Sequence, residues 1–223
     1  MATDHSEGAR EGISVAERLP PTDVGDVLVC GPAMSGKTRM ALELLVTAVV
    51  ETEGRPFYVT TAGSATDARA RLDARTPECV SLPRPGVVAC DGGPEPDEFT
   101  RSVDTPGNLT GIASVLTEMY DGSKRSQRLG SRVLVDNVTA LLVATNLEPA
   151  YRFVHALMVR VSKAGGQTIA TLDTDGLAGG ERPALTGLFD TVVEVRRPDG
   201  SDPEYRLHNS DDWHGYLLPE RDR

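Results

Sequence analysis

The 223 residues carry 33 acidic against 23 basic side chains, a formal net charge of -10, and 39% of them are hydrophobic. That length suits one domain with a sizeable core, no apolar run reaches the roughly 18 residues a membrane span needs, and the acidic balance disfavours non-specific adhesion to nucleic acid. Of the 23 basic residues only three are lysines, Lys37, Lys124 and Lys163. An acidic surface that prefers Arg to Lys is a halophilic composition, and a high-GC genome is its plainer source. Cys30, Cys79 and Cys90 show no Cys-x-x-Cys spacing, which reads as small buried thiols in a reducing compartment rather than a disulfide or zinc framework.

In chain order, residues 1–23 are polar and lack the apolar core of a signal peptide. They are expected to be a flexible leader ending near Pro20-Pro21, with the protein in the cytoplasm. Short β-branched runs then alternate with segments of helical period, the pattern of a parallel α/β sheet. Strands are predicted over Val27–Cys30, Phe57–Thr61, Val87–Cys90, Val133–Asp136, Thr168–Leu172 and Thr191–Val195. Lys37–Val50 is apolar on most sides and predicts a helix buried against the sheet. Ser64–Arg75 predicts a short, exposed, Arg-rich helix, and Thr76–Pro85 a loop. Leu109–Tyr120 places Leu109, Ile112, Leu116 and Met119 on one face behind an Asn108 N-cap. Leu147–Lys163 places Leu147, Tyr151, Val154, Leu157, Met158 and Val161 on one face and stops at Gly165-Gly166. Asp173–Pro183 is Gly-rich and expected to be mobile. Residues 24–197 thus read as one α/β domain and 198–223 as a tail, with an edge strand near Tyr205–His208.

The chemistry begins at Gly31-Pro32-Ala33-Met34-Ser35-Gly36-Lys37-Thr38, a Gly-x-x-x-x-Gly-Lys-Thr phosphate-binding loop. Its glycines let successive N–H groups turn inward toward phosphate oxygens, and the helix opening at Gly36 adds its positive end. Lys37 would reach the β- and γ-phosphates, with Arg39 completing the nucleotide-binding stretch, and the Thr38 hydroxyl would ligate Mg²⁺. The loop follows a predicted strand and opens a predicted helix, the context this motif requires, and a lysine there is scarce currency in so Lys-poor a chain. The second site is Asp136, which ends the strand "VLVD" at the edge where parallel sheets bind ligands. It is read as the second magnesium-facing group, directly or through water. The cofactors implied are therefore ATP and Mg²⁺.

With "VLVDNVTALL" in the middle, "GGQTIATLD" after the next helix and "LFDTVVEVRR" after that, residues Val24 to Arg197 resemble the single ATPase domain of the RecA/KaiC/RadA group. "DTPGNLTGIASVL" is similar to KaiC-like single-domain proteins of halophilic archaea. The resemblance implies a RecA-like P-loop NTPase fold, a central mostly parallel β-sheet flanked by helices, and assembly with ATP at subunit interfaces. The departures are specific. Where the family's second strand ends in one or two glutamates that activate water, "PFYVTTAGSATDA" has Ala62 and Gly63, neither of which can accept a proton. The family's late Lys-x-Arg pair is not evident in "PEYRLHNSDDWHG". Asp91 and Asp173 each follow an apolar strand and are candidate catalytic replacements, Asp173 standing where the family has a polar sensor. Turn or capping Asp is the plain alternative for both. Arg182, Arg196 and Arg197 are candidate arginine fingers or ordinary surface residues.

The loops "VATNLEP" and "DTDGLAGGERP" hold one Arg, more acids than bases and no aromatic for base stacking, which disfavours single-stranded nucleic acid. Trp213 and His214, isolated in the tail, read as packing or surface contacts, and His155, within a helix, as packed or at the surface. The leading expectation is an ATP/Mg²⁺-binding switch or assembly factor with weak or absent hydrolysis, its partners nucleotide and either a homo-oligomer or another protein. The alternative is an active ATPase of the recombinase or KaiC type using Asp91 or Asp173, with a link to DNA. A vestigial site on a structural protein is the third.

Overall fold

A computed structural model describes residues 25–76, 82–198 and 201–216. The expected leader, Cys79 and much of the 76–85 loop lie outside the described residues. The β-branched runs form strands β1 (Val27–Gly31), β2 (Pro56–Thr60), β3 (Gly86–Ala89), β5 (Arg132–Asp136), β6 (Gln167–Asp173) and β7 (Thr191–Arg196), each within two residues of its prediction at either end. Three further strands are β4 (Thr100–Ser102), β8 (Glu204–Leu207), which is the expected edge piece, and β9 (His214–Gly215). Among the described residues these nine make one sheet in the order β4-β3-β2-β5-β6-β1-β7-β8-β9. The pairs from β4 to β7 are parallel and those from β7 to β9 antiparallel. The chain is therefore α/β, with a mostly parallel mixed sheet.

Period-2 alternation sorts the strand side chains onto two faces. Val29, Tyr58, Leu134, Ile169, Val193 and Val195 face the helices α1 (Lys37–Thr52) and α2 (Ala65–Asp73). Leu28, Phe57, Val133, Val135, Ala170 and Leu172 face α3 (Leu109–Asp121), α5 (Val138–Ala144), α6 (Leu147–Lys163) and α7 (Glu181–Thr186). A four-residue α4 (Arg125–Arg128) precedes β5. Because both faces are covered, the central strands are buried throughout. Asn108 caps α3 as predicted, its side chain accepting from Gly111 N at 2.9 Å. The face predicted for α6 needs one correction. Tyr151 points outward and stacks on exposed His155 with ring centroids 6.3 Å apart, while Ala150 and Phe153 take the buried positions. The Gly-rich stretch expected to be loop begins inside β6 and ends inside α7.

The thiols behave as their composition suggested. Cys30 and Cys90 are free and buried. Burial pushes the Cys30 thiol up to about 11, and burial with the charge of Asp91 pushes Cys90 up to about 12. No helix among the described residues is long and apolar enough to cross a membrane.

Two features matter for the site. The strand order reverses at β1, since α1 leads away toward β2 on one side while α7 leads from β6 to β7 on the other. The crevice at the carboxyl end of such a strand is where open α/β sheets place ligands. The β7–β8 junction is held by Glu194, which accepts from Arg182 at 2.6 Å and Arg206 at 2.8 Å and contacts His208 Nδ1 at 2.9 Å. Burial opposes ionisation of Glu194, but the hydrogen bonds from His208 and Arg206 and the charges of Arg206 and Arg182 outweigh it and hold the carboxyl below its ordinary 4.5. A depressed folded-state pKa contributes stability above the unfolded value and loses it as pH falls through the folded one. Glu194→Gln should therefore lower unfolding free energy by about 1–2 kcal/mol at pH 7, discounted for its partly exposed partners. In urea titrations the gap to wild type should close as pH drops below 4.5.

Candidate functional site

At the end of β1 the chain turns through Pro32–Gly36 and enters α1. Gly31 is pressed against β7, where an added Cβ would lie 2.2 Å from the Val195 carbonyl oxygen. Gly36 has φ +97°, a left-handed conformation that favours glycine, and it serves as N-cap of α1 without any side-chain cap. No acidic residue lies in the first turn of that helix. By contrast α2, α3 and α5 are capped by Ser64, Asn108 and Asn137. Among the described residues the first amides of α1 thus have no side-chain cap, and the positive end of its dipole is not offset by an acidic residue in its first turn. Ser35 Oγ, in the same loop, is buried with no hydrogen-bond partner among the described residues. Met34 projects into solvent at 86% exposure. Pro203, in the segment leading to β8, packs beside Gly36, 3.4 Å from where a Cβ there would stand.

Lys37 is the first residue of α1 and only 6% exposed. Its ammonium donates to the Pro32 carbonyl at 3.0 Å and forms a close ion pair with Asp173. Thr38 Oγ1 donates to Asp136 Oδ1 at 3.0 Å. The same carboxylate accepts from Tyr58 OH at 3.0 Å and Thr171 Oγ1 at 2.6 Å. Burial, and then the negative charge of Asp136, push the Tyr58 phenol well above its ordinary value, so it remains a donor. Asn137 follows through a cis peptide. Its amide accepts from Ala140 N at 2.9 Å to cap α5 and donates to Asp173 Oδ2 at 2.6 Å. Loop, helix and three strand ends therefore converge on two carboxylates, Asp136 and Asp173.

Of the candidates read from the sequence, Gly31 through Thr38, Asp136 and Asp173 are brought together. Arg39 is turned along α1, 3.6 Å from Glu43. Asp91 lies elsewhere: β3 is separated from β5 by β2, and its carboxylate accepts from Gly93 N at 3.0 Å, as a turn Asp does. Ala62 and Gly63 follow β2 and offer no carboxylate. The polar groups at this corner bind backbone instead, with Thr60 Oγ1 donating to Ala62 O at 2.8 Å and Asn137 N donating to Thr61 Oγ1 at 2.8 Å. The nearby Asp67 is occupied in the Ser64 capping box. Arg182 is held by Glu194, and Arg196 pairs with Glu204 and lies over Trp213 with 3.9 Å to the ring centroid. Arg197 is exposed. Tyr58, Thr171, Asn137 and Asp175 were not singled out in the sequence. The last accepts from Ala33 N at 3.1 Å.

Replacing Thr171 by isosteric Val should remove one hydroxyl donor from a buried carboxylate. The expected loss is about 1.5–3 kcal/mol of unfolding free energy, measured by chemical denaturation, with little change in secondary structure by circular dichroism.

No curated protein matches the chain. Residues 24–195 match the profile of a family of unknown function, DUF7504. The match covers most of the chain, which therefore belongs to the DUF7504 family.

Proposed function

We propose that this protein binds ATP with Mg²⁺ through the Gly31–Thr38 loop and works as a RecA/KaiC-like nucleotide-dependent switch or assembly factor that hydrolyses its nucleotide slowly or not at all. One observation carries the reading: a buried ammonium, Lys37, stands at the uncapped positive end of a 16-residue helix, beside a left-handed glycine and a buried, unpartnered Ser35 hydroxyl. These groups suit a polyphosphate, which would supply the oxygen acceptors that the helix amides and the serine lack. The strand order supports the same reading, because the loop sits where the sheet's connections reverse.

Thr38 and Asp136 suit magnesium, their oxygens 3.0 Å apart at the base of the loop. Among the described residues no group of three or more His, Cys, Asp or Glu is placed to hold a metal alone. An ion there would be completed by phosphate oxygens and water. Mg²⁺ bound with the nucleotide would neutralise phosphate charge. The chain's own part is to orient: Thr171 and Tyr58 fix the Asp136 carboxylate, and Lys37 meets the outer phosphates.

Slow turnover is expected because residues 62 and 63 supply no base. Losing a general base costs about 10²–10⁴ in rate, which takes an ordinary turnover near 10 per second to between about 0.1 and 0.001 per second. A second reading, faster hydrolysis with Asp173 positioning the water, draws on its place beside Lys37. In a single-turnover assay with excess protein and trace γ-labelled ATP, wild type should retain ATP for about 10 to 1,000 seconds, and Lys37→Ala should bind at least about 100-fold more weakly. Phosphate release on the order of one per second or faster, lost in Asp173→Asn, would sink the slow-switch reading and favour the second.

A further inference from the structure

The turn after β6 enters the loop at three points. Asp173 pairs with the Lys37 ammonium. Thr174 N donates to Gly31 O at 3.0 Å, and Asp175 Oδ2 accepts from Ala33 N at 3.1 Å. Two carboxylates from one short segment thus satisfy a side-chain cation and a backbone amide of the loop, the donor types that a phosphate chain would use. We infer that the carboxylates of Asp173 and Asp175 are an internal stand-in for phosphate, and that nucleotide binding displaces Asp175 and so transmits occupancy to the segment that follows. This rests on the ATP-binding reading above.

The physical reason is competition for the same donors. A buried ammonium without a counter-charge is costly, so the ligand-free loop needs an anion from the chain, and Asp173 provides it. Asn137 holds Asp173 from behind at 2.6 Å, while Thr139 Oγ1 accepts from Asp173 N at 2.9 Å. The β6 end is thereby anchored. Asp175 has no such backing among the described residues: it is exposed, and it accepts from Ala33 N. A triphosphate would bring its own oxygens to Ala33 N and Lys37 Nζ, and the carboxylate at 175 would face like charge across the loop.

Displacement has somewhere to go. Gly176 has φ +77°, and added Cβ atoms at Gly176, Gly179 and Gly180 would meet nothing within 4 Å. α7 begins immediately afterward, and its Arg182 is tied to Glu194 on β7. Release of Asp175 therefore loosens a glycine-rich span between two fixed points, Asp173 and Arg182. A ligand shifts a conformation only by the difference in its affinity for the two forms. Here that difference is the set of loop donors that cannot serve both anions.

The test titrates MgATP into wild type and Asp175→Ala, with hydrogen exchange followed over residues 174–180. Asp175 is exposed, so the substitution spares the core. Asp175→Ala should bind about threefold to tenfold more tightly, the size of one charge-assisted hydrogen bond in partly exposed surroundings. In wild type MgATP should change exchange over 174–180, whereas the variant should start nearer the nucleotide-bound pattern. Equal or weaker binding by the variant would overturn the stand-in while leaving ATP binding intact. So would tighter binding with no exchange change in wild type, which would reduce the effect to removal of a nearby charge. No binding by either protein would overturn the ATP reading itself, and the stand-in with it.

Discussion

The carboxylate of Asp136 is buried at the carboxyl edge of the sheet, and three hydroxyls donate to it there, from Thr38, Tyr58 and Thr171. A buried carboxylate with fewer partners would be far costlier to hold. The donors come from α1, β2 and β6, so a single charged group on β5 locates the start of the helix relative to three neighbouring strands. The loop between β1 and α1 can then be built almost without side chains, from backbone curvature at Gly31 and Gly36. Its only charged member, Lys37, is balanced by the second carboxylate one strand away. Scaffold and site are the same set of bonds.

That economy bears on the corner where the resembled ATPases keep their glutamates. Thr60 and Thr61 spend their hydroxyls on the backbone of Ala62 and Asn137. The end of β2 braces the peptide after Asp136 rather than presenting an acid to a ligand. The groups around Asp136 also stabilise the fold, and the departure at 62 and 63 leaves those groups untouched.

The parallel strands could be read from the sequence because each is a short β-branched run bounded by turn residues, a signal that does not depend on neighbours. The loop was equally legible, since glycine, lysine and threonine at that spacing carry their geometry with them. β4 and β9 were not legible: at three and two residues they are too short to show alternation. α5 was hidden because Val138–Ala144 is apolar except for Thr139 and, at seven residues, too short to display a period. Asp91 and Asp173 looked alike in local pattern, each an aspartate after an apolar strand, and only the resemblance favoured Asp173. The strand order separates them physically, because it sets β6 beside β1 and puts β3 beyond β2. Tyr58 was missed for a related reason: its partner lies on β5, and pairing across parallel strands leaves no local trace. Tyr151 shows the limit of periodicity, which fixes the helical stripe but not its edges.

The hairpin of β8 and β9 lies far along the chain from the loop, yet Pro203 packs against Gly36, and Tyr216, just past β9, is only 2% exposed. During synthesis the loop leaves the ribosome long before this hairpin does. The flank of the cradle beside Gly36 is therefore absent from the nascent chain until translation has passed Tyr216. The order of synthesis thus sets when the loop acquires its full surroundings.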